Sequence, residues 1–72
     1  MDLAAMKIYF DSKNDLLYLR FDAEKQAVTN MRLNEDIVVD FGENEKIVGM
    51  EILNASRLVN LKELLPVISE VV

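Results

Sequence analysis

The sequence predicts an α+β domain: an antiparallel meander of about five strands with a C-terminal helix packed on one face. Three observations carry that prediction. From Met6 to Leu53, apolar residues recur at alternate positions, the period of half-buried strands. Short polar runs rich in Asp, Asn, Ser and Gly interrupt the alternation at hairpin spacing. After Ser56 the period changes, and Leu58, Leu61, Leu64, Leu65 and Ile68 fall on one side of a helix.

The first strand, Met6 to Phe10, points Met6, Ile8 and Phe10 one way and Lys7 and Tyr9 the other. Asp11-Ser12-Lys13-Asn14-Asp15 is a turn, because these side chains hydrogen-bond to their own backbone. The second strand runs from Leu16 to Phe21, with Leu17, Leu19 and Phe21 on the apolar side and Leu16, Tyr18 and Arg20 opposite. Pairing Ile8 with Leu19 sets Tyr9 against Tyr18 and Met6 against Phe21, although a two-residue slip preserves the same faces. A polar connection, Asp22 to Ala27, leads to a weaker third strand, Val28 to Leu33, with Thr29, Met31 and Leu33 on one side. Asn34-Glu35-Asp36 turns the chain into the fourth strand, where Ile37, Val39 and Phe41 alternate with Val38 and Asp40.

Gly42-Glu43-Asn44-Glu45 forms the next bend, with Gly42 and Asn44 suited to positive φ. Centring that bend on Glu43-Asn44 pairs Val39 with Val48 and Ile37 with Met50. In the fifth strand Val48, Met50 and Ile52 extend the apolar face, while Ile47, Gly49 and Glu51 lie opposite. Either Asn54 or Ser56 can cap the following helix by accepting a free backbone N–H. Pro66 lacks a donor and clashes with the preceding turn, so the helix should break near Leu65, with Pro66 starting a second short turn. Val67, Ile68, Val71 and Val72 make an apolar tail that should dock on its own sheet or on a neighbour's.

Composition narrows the function classes. The 72 residues suffice for a single small domain, residues 1–72, without internal repeat or boundary. At this size folding buries only about 60% of the surface exposed by the unfolded chain, so extra stabilisation is expected. With no Cys and no His, disulfides are impossible and a structural zinc site is not expected; association with another chain remains. A homodimer or higher homo-oligomer is therefore expected, with Leu61, Leu64, Leu65, Ile68 and Val71 as the association surface. The net charge of −5 repels phosphate backbones, which argues against direct nucleic-acid binding and favours a basic protein partner. No apolar run approaches the ~20 residues of a membrane-spanning helix. Met1-Asp2-Leu3-Ala4-Ala5 lacks the basic start and apolar core of a secretory leader, so neither membrane association nor export is expected, and a cytoplasmic location is.

Lack of Cys and His also removes the usual nucleophile and base pairs, and no enzymatic activity, cofactor or metal is expected. The Asp11–Asp15 turn alternates acidic residues as calcium loops do. Lys13, however, stands where a ligand oxygen is needed and Leu16 stands in place of the required Gly. Carboxylate chemistry keeps one candidate: a polar sheet face carrying Tyr9, Tyr18, Arg20, Asp40, Gly49 and Glu51, with Lys7 beside them. Ordinary solvated strand charges explain the same residues. The alternative is a small-molecule-binding or carboxylate-based enzymatic subunit built on that face. Gly49 interrupts a strong strand, marking a bulge, a close backbone approach or a contact with a partner.

Lys7-Ile8-Tyr9-Phe10-Asp11 followed by Asp15-Leu16-Leu17-Tyr18-Leu19 resembles the opening hairpin of the small prokaryotic family called domain of unknown function 2283. Ile37-Val38-Val39-Asp40-Phe41 and Ile47-Val48-Gly49-Met50-Glu51-Ile52-Leu53-Asn54-Ala55-Ser56 resemble its second half, so the likeness covers roughly residues 6–58. Phe10 stands where the family usually has Tyr, and Asn44-Glu45 where it often has Gly. The resemblance implies a compact sheet with a C-terminal helix and no established activity, cofactor or substrate. Members are often encoded beside small toxin-like proteins, which implies an antitoxin-like partner of a small basic toxin. The functional expectation is thus a non-enzymatic, protein-binding, self-associating module.

Overall fold

The computed structural model describes residues 6–71. The chain forms β1 (Lys7–Asp11), β2 (Leu16–Arg20), β3 (Thr29–Arg32), β4 (Ile37–Phe41), β5 (Ile47–Leu53), α1 (Ala55–Leu58), α2 (Leu61–Leu64) and β6 (Glu70–Val71). Leu65–Val67 form a 3-10 turn between the last two elements. The expected α+β class holds in outline, with a sheet and short C-terminal helices, but the meander does not. One mixed sheet of six strands runs β3-β4-β5-β2-β1-β6, and β6 is parallel to β1.

Two physical reasons account for the departure. A meander would place β3 beside β2, yet β5 pairs with both β4 and β2 and takes the centre. At seven residues it is the longest strand, and it carries the fully buried Val48. The strand most weakly marked in the sequence, β3, goes to the edge, where all four of its residues are exposed. The β2–β3 connection is therefore a crossing and not a hairpin. Phe21 and Asp22 donate their backbone N–H groups to Val48 O at 2.8 and 3.2 Å, and Gln26 Oε1 accepts Glu43 N at 3.0 Å.

The β1–β2 register sets Ile8 against Leu19 and Tyr9 against Tyr18, as expected. The β4–β5 register is shifted by two residues from the expected one: Val39 pairs with Met50 and Ile37 with Ile52. The bend is longer than a two-residue turn, because a 3-10 turn occupies Glu43–Glu45 and Gly42 N donates to Lys46 O at 2.8 Å. Asn44 has positive φ (58°), but Glu45 supplies the second left-handed residue (59°), and Gly42 lies at φ −99°. What Gly42 provides is space. A Cβ there would overlap Gln26 Oε1 and lie 2.5 Å from Val48 Cγ2. Asp40 opposes Gly49 and Phe41 opposes Ile47, so Val48 is an extra residue that bulges β5. The two-residue shift preserves the faces, so the apolar assignment of Val39, Met50 and Ile52 survives.

The single expected helix is two one-turn pieces. Val59 (φ −131°, ψ 153°) and Asn60 (φ −82°, ψ 94°) are extended and separate α1 from α2. The chain leaves α2 at Leu65, and Pro66 lies in the first turn of the 3-10 segment, as its missing donor requires. These pieces lie on the apolar face over one end of the sheet. Phe10, Leu19, Ile52, Val59, Leu61, Leu64 and Ile68 surround a buried centre of Ile8, Leu17 and Ala55. The apolar tail docks on its own sheet, where Val71 pairs with Phe10 in β6; Val72 and Met1–Ala5 lie outside the described residues. Ser69 clasps that edge: its N–H donates to Ile8 O at 2.7 Å and its Oγ accepts Ile8 N–H at 3.0 Å.

Candidate functional site

Strand alternation and register bring the sequence-predicted polar residues together. One row across the sheet reads Tyr9, Tyr18, Glu51, Val38; the next reads Lys7, Arg20, Gly49, Asp40, Asn30. Asp40 is the centre of this face and, at 6% exposure, is the buried charged residue among those described. Burying a carboxylate costs free energy unless donors surround it. Tyr18 Oη donates to Asp40 Oδ2 at 3.1 Å, and Asn30 Nδ2 donates to Oδ1.

This bridge explains Gly49. The phenol of Tyr18 must cross the neighbouring strand to reach Asp40, and a Cβ on Gly49 would stand 2.5 Å from Tyr18 Oη and 3.0 Å from Leu19 O. The Tyr18 hydroxyl is held above its ordinary pKa chiefly by burial; the Arg20 side chain opposes that shift and the Asp40 carboxylate reinforces it. Tyr18 is thus a protonated donor at neutral pH. Arg20 donates from Nε to Asp22 O and from Nη2 to Glu24 O (3.1 Å), which pins the crossing connection. Tyr9 packs on Tyr18 with ring centroids 6.4 Å apart and planes tilted by 33°. Glu51 is half-buried beside them, opposite Tyr18 and Val38.

Chemically, the arrangement holds a carboxylate in place more than it offers one for reaction. Both Asp40 oxygens already accept hydrogen bonds, and Gly49 is covered by the phenol. Asn30 is the member that sequence reasoning missed. The signal was present, since a polar residue interrupts the weak third strand, but its meaning depends on the Asn30–Asp40 pairing.

A second polar group surrounds the start of α1. Asn54 is left-handed (φ 54°) and its side chain makes no cap; neither does that of Ser56. Asp15, itself left-handed (φ 51°), supplies the cap from the β1–β2 turn: Ser56 N and Oγ donate to its carboxylate at 3.0 and 2.7 Å. Asp36 receives Asn54 Nδ2 at 3.0 Å and Arg57 Nη2 at 2.8 Å, while its carbonyl accepts Leu53 N at 2.7 Å. The hydrogen bond from Asn54, then the Arg57 guanidinium, hold the Asp36 carboxyl below its usual range. The Asp11 turn behaves as expected: its carboxylate accepts Lys13 N, Asn14 N and Asn14 Nδ2, which lowers its pKa too. Among the described residues, no group of three or more Asp or Glu side chains is arranged to hold a metal ion.

The expected association surface divides. Leu61, Leu64 and Ile68 turn inward onto Ile8, Leu17 and Ala55, whereas Leu65 and Val71 are each 56% exposed. No helix among the described residues is long and apolar enough to cross a membrane.

The pattern of strands, buried Asp40, space-giving Gly49 and anchored Ala55-Ser56 coincides with a family match. The family described as protein of unknown function, DUF2283, matches residues 7–56. The chain belongs to this family. The matched span begins at the first residue of β1 and stops at Ser56, where Asp15 seizes α1; α2 and β6 lie beyond it. An uncharacterized protein of Methanocaldococcus jannaschii is 42% identical over 57 residues, covering 78% of this chain and 47% of that protein. The chain therefore spans about half the length of this curated relative. No solved structure matches it.

Proposed function

We propose that the protein is a non-enzymatic, self-associating, protein-binding module that works through its surfaces. One observation carries the reading. Among the described residues, six apolar residues are buried, while ten large apolar side chains are exposed: Met6, Phe21, Val28, Met31, Leu33, Ile47, Leu58, Leu65, Val67 and Val71. Apolar side chains grouped on one exposed edge mark protein contacts, and Met31 and Leu33 stand two positions apart at the β3 edge. The polar face gives weaker support to the rival small-molecule or carboxylate reading, because Asp40 is engaged on both oxygens.

The net charge of −5 makes a basic protein the favoured second partner, and the family's gene neighbourhoods make a small basic toxin the specific candidate. Sedimentation velocity at micromolar concentration tests self-association, with a dimer or larger species expected. Co-expression with the product of an adjacent short basic reading frame tests the partner, with a stable complex expected. A clean monomer that also ignores that product would refute the proposal. A ligand-dependent rise in melting temperature that is abolished by Glu51→Gln and Arg20→Ala would instead favour the small-molecule reading.

A further inference from the structure

The β3 edge of the sheet carries the features of an interface that lacks its second half. β3 has no Pro, no Lys and no bulge, the usual devices that keep an edge strand from pairing. Its one charge is diverted, because Arg32 Nη1 donates to Asn34 O and Glu35 O at 3.3 and 2.8 Å. On the apolar side this edge presents Met31 of β3 and Leu33 just after it, 52% and 57% exposed, beyond the reach of the helices. Beside them lies a groove of about 480 Å³ lined by Thr29, Met31, Phe41, Gly42 and Glu45.

The free side of β3 shows what kind of partner fits. β3 is the outer strand of the sheet, and the row of backbone N–H and C=O groups it turns away from β4 is a template for a second strand.

We propose that a second copy of this chain docks on β3, the two β3 strands pairing antiparallel about Met31 and delivering the partner's Leu33 to the Thr29–Met31–Phe41 groove. The inference rests on the self-association reading above and names its surface. Leu33 donates its N–H to Ile37 O at 2.8 Å, so it turns its backbone toward β4. By alternation, the N–H and C=O groups of Asn30 and Arg32 face outward. Centred on Met31, these outward groups meet: Asn30 lies opposite the partner's Arg32, and about four new backbone hydrogen bonds form. Thr29 then faces the partner's Leu33 across the groove. Centring on Arg32 would oppose like charges, and centring on Asn30 would set Leu33 against the partner's Ala27, away from any apolar neighbour. The other edge is a poorer candidate, since β6 has two residues and one of them is Glu70.

Because the sequence contains no Cys, single cysteines report the geometry cleanly. Facing Met31 residues in a pair of this kind have Cα atoms about 4.5 Å apart, within disulfide range. The two Leu33 residues would lie about 14 Å apart. Mild oxidation of Met31→Cys should give a covalent dimer in high yield, while Leu33→Cys and Val71→Cys stay unlinked on a denaturing gel. Sedimentation of the unmodified chain provides the second arm. A dimer that links only through Met31→Cys supports the proposal. A dimer that fails to link there, or links faster at another position, overturns the β3 surface and leaves self-association standing. A monomer in sedimentation overturns both.

Discussion

At the scale of single residues, Asp40, Tyr18, Asn30 and Gly49 act as one unit, and substitutions among them should be non-additive. Gly49→Ala forces a Cβ against Tyr18 Oη and Leu19 O and should cost about 1–3 kcal/mol, read as a lower urea midpoint. Tyr18→Phe removes a donor from the buried carboxylate, at about 1–3 kcal/mol. In the Tyr18→Phe background Gly49→Ala should cost less, because the clashing hydroxyl is gone, and a double-mutant cycle measures the difference. Additive costs would show that the phenol is not what Gly49 accommodates. Asp11 and Asp36 make a separate prediction. Both carboxyls are held below the ordinary aspartate range in the folded chain, so each contributes stability that is complete above the unfolded pKa and is lost as pH falls through the folded pKa. Urea midpoints should therefore drop between pH 5 and about pH 2, and Asp36→Asn should flatten part of that decline. Sequence reading marked Asp40 and Gly49 because a charge and a glycine are conspicuous inside strands. It passed over Asn30 and Asp36, whose roles exist only once β3 lies beside β4 and the turn before β4 lies beside α1.

At the scale of elements, the first four strands were legible because alternation needs nothing beyond the local chain, and the observed Ile8–Leu19 register is one of those the alternation allows, since a two-residue slip keeps the same faces. The β4–β5 register was not, because a 3-10 bend with two left-handed residues, one of them Glu45, leaves no mark in composition. The C-terminal stripe from Leu58 to Ile68 was read correctly as apolar and incorrectly as one helix. Val59 and Asn60 interrupt it through backbone conformation, while the stripe still reaches the core in two pieces. β6 was unreadable, since two residues carry no period and a parallel pairing is decided by where the preceding turns deliver them. The capping of α1 from a distant turn yields a prediction. Asp15→Ala removes the acceptor of both Ser56 hydrogen bonds and should lower stability by about 1–2 kcal/mol. Asp15→Asn keeps an acceptor and tolerates the left-handed backbone, and should retain most of the urea midpoint.

At the scale of the whole molecule, charge separates the two kinds of partner. Two copies, each with a net charge of −5, repel at long range, so added salt should tighten self-association several-fold between about 20 and 300 mM. Binding of a basic protein should weaken over the same range. Equilibrium sedimentation across that series checks the first expectation, and a self-association constant that falls with salt would contradict it. Strand order was the least legible property, because pairing β5 between β4 and β2 depends on which long-range contact buries most, and periodicity carries no such information. That order also constrains how the protein is made. β1 and β2 leave the ribosome early, yet the strand that joins them to β3 and β4 is the fifth to be synthesised. Until Leu53 has emerged, Leu17 has no Ile52 beside it and β4 lacks its inner neighbour, so a nascent chain shorter than this holds two unconnected hairpins. Translation that stalls before residue 47 should therefore leave a protease-sensitive nascent chain, and protection should appear in one step once β5 is complete.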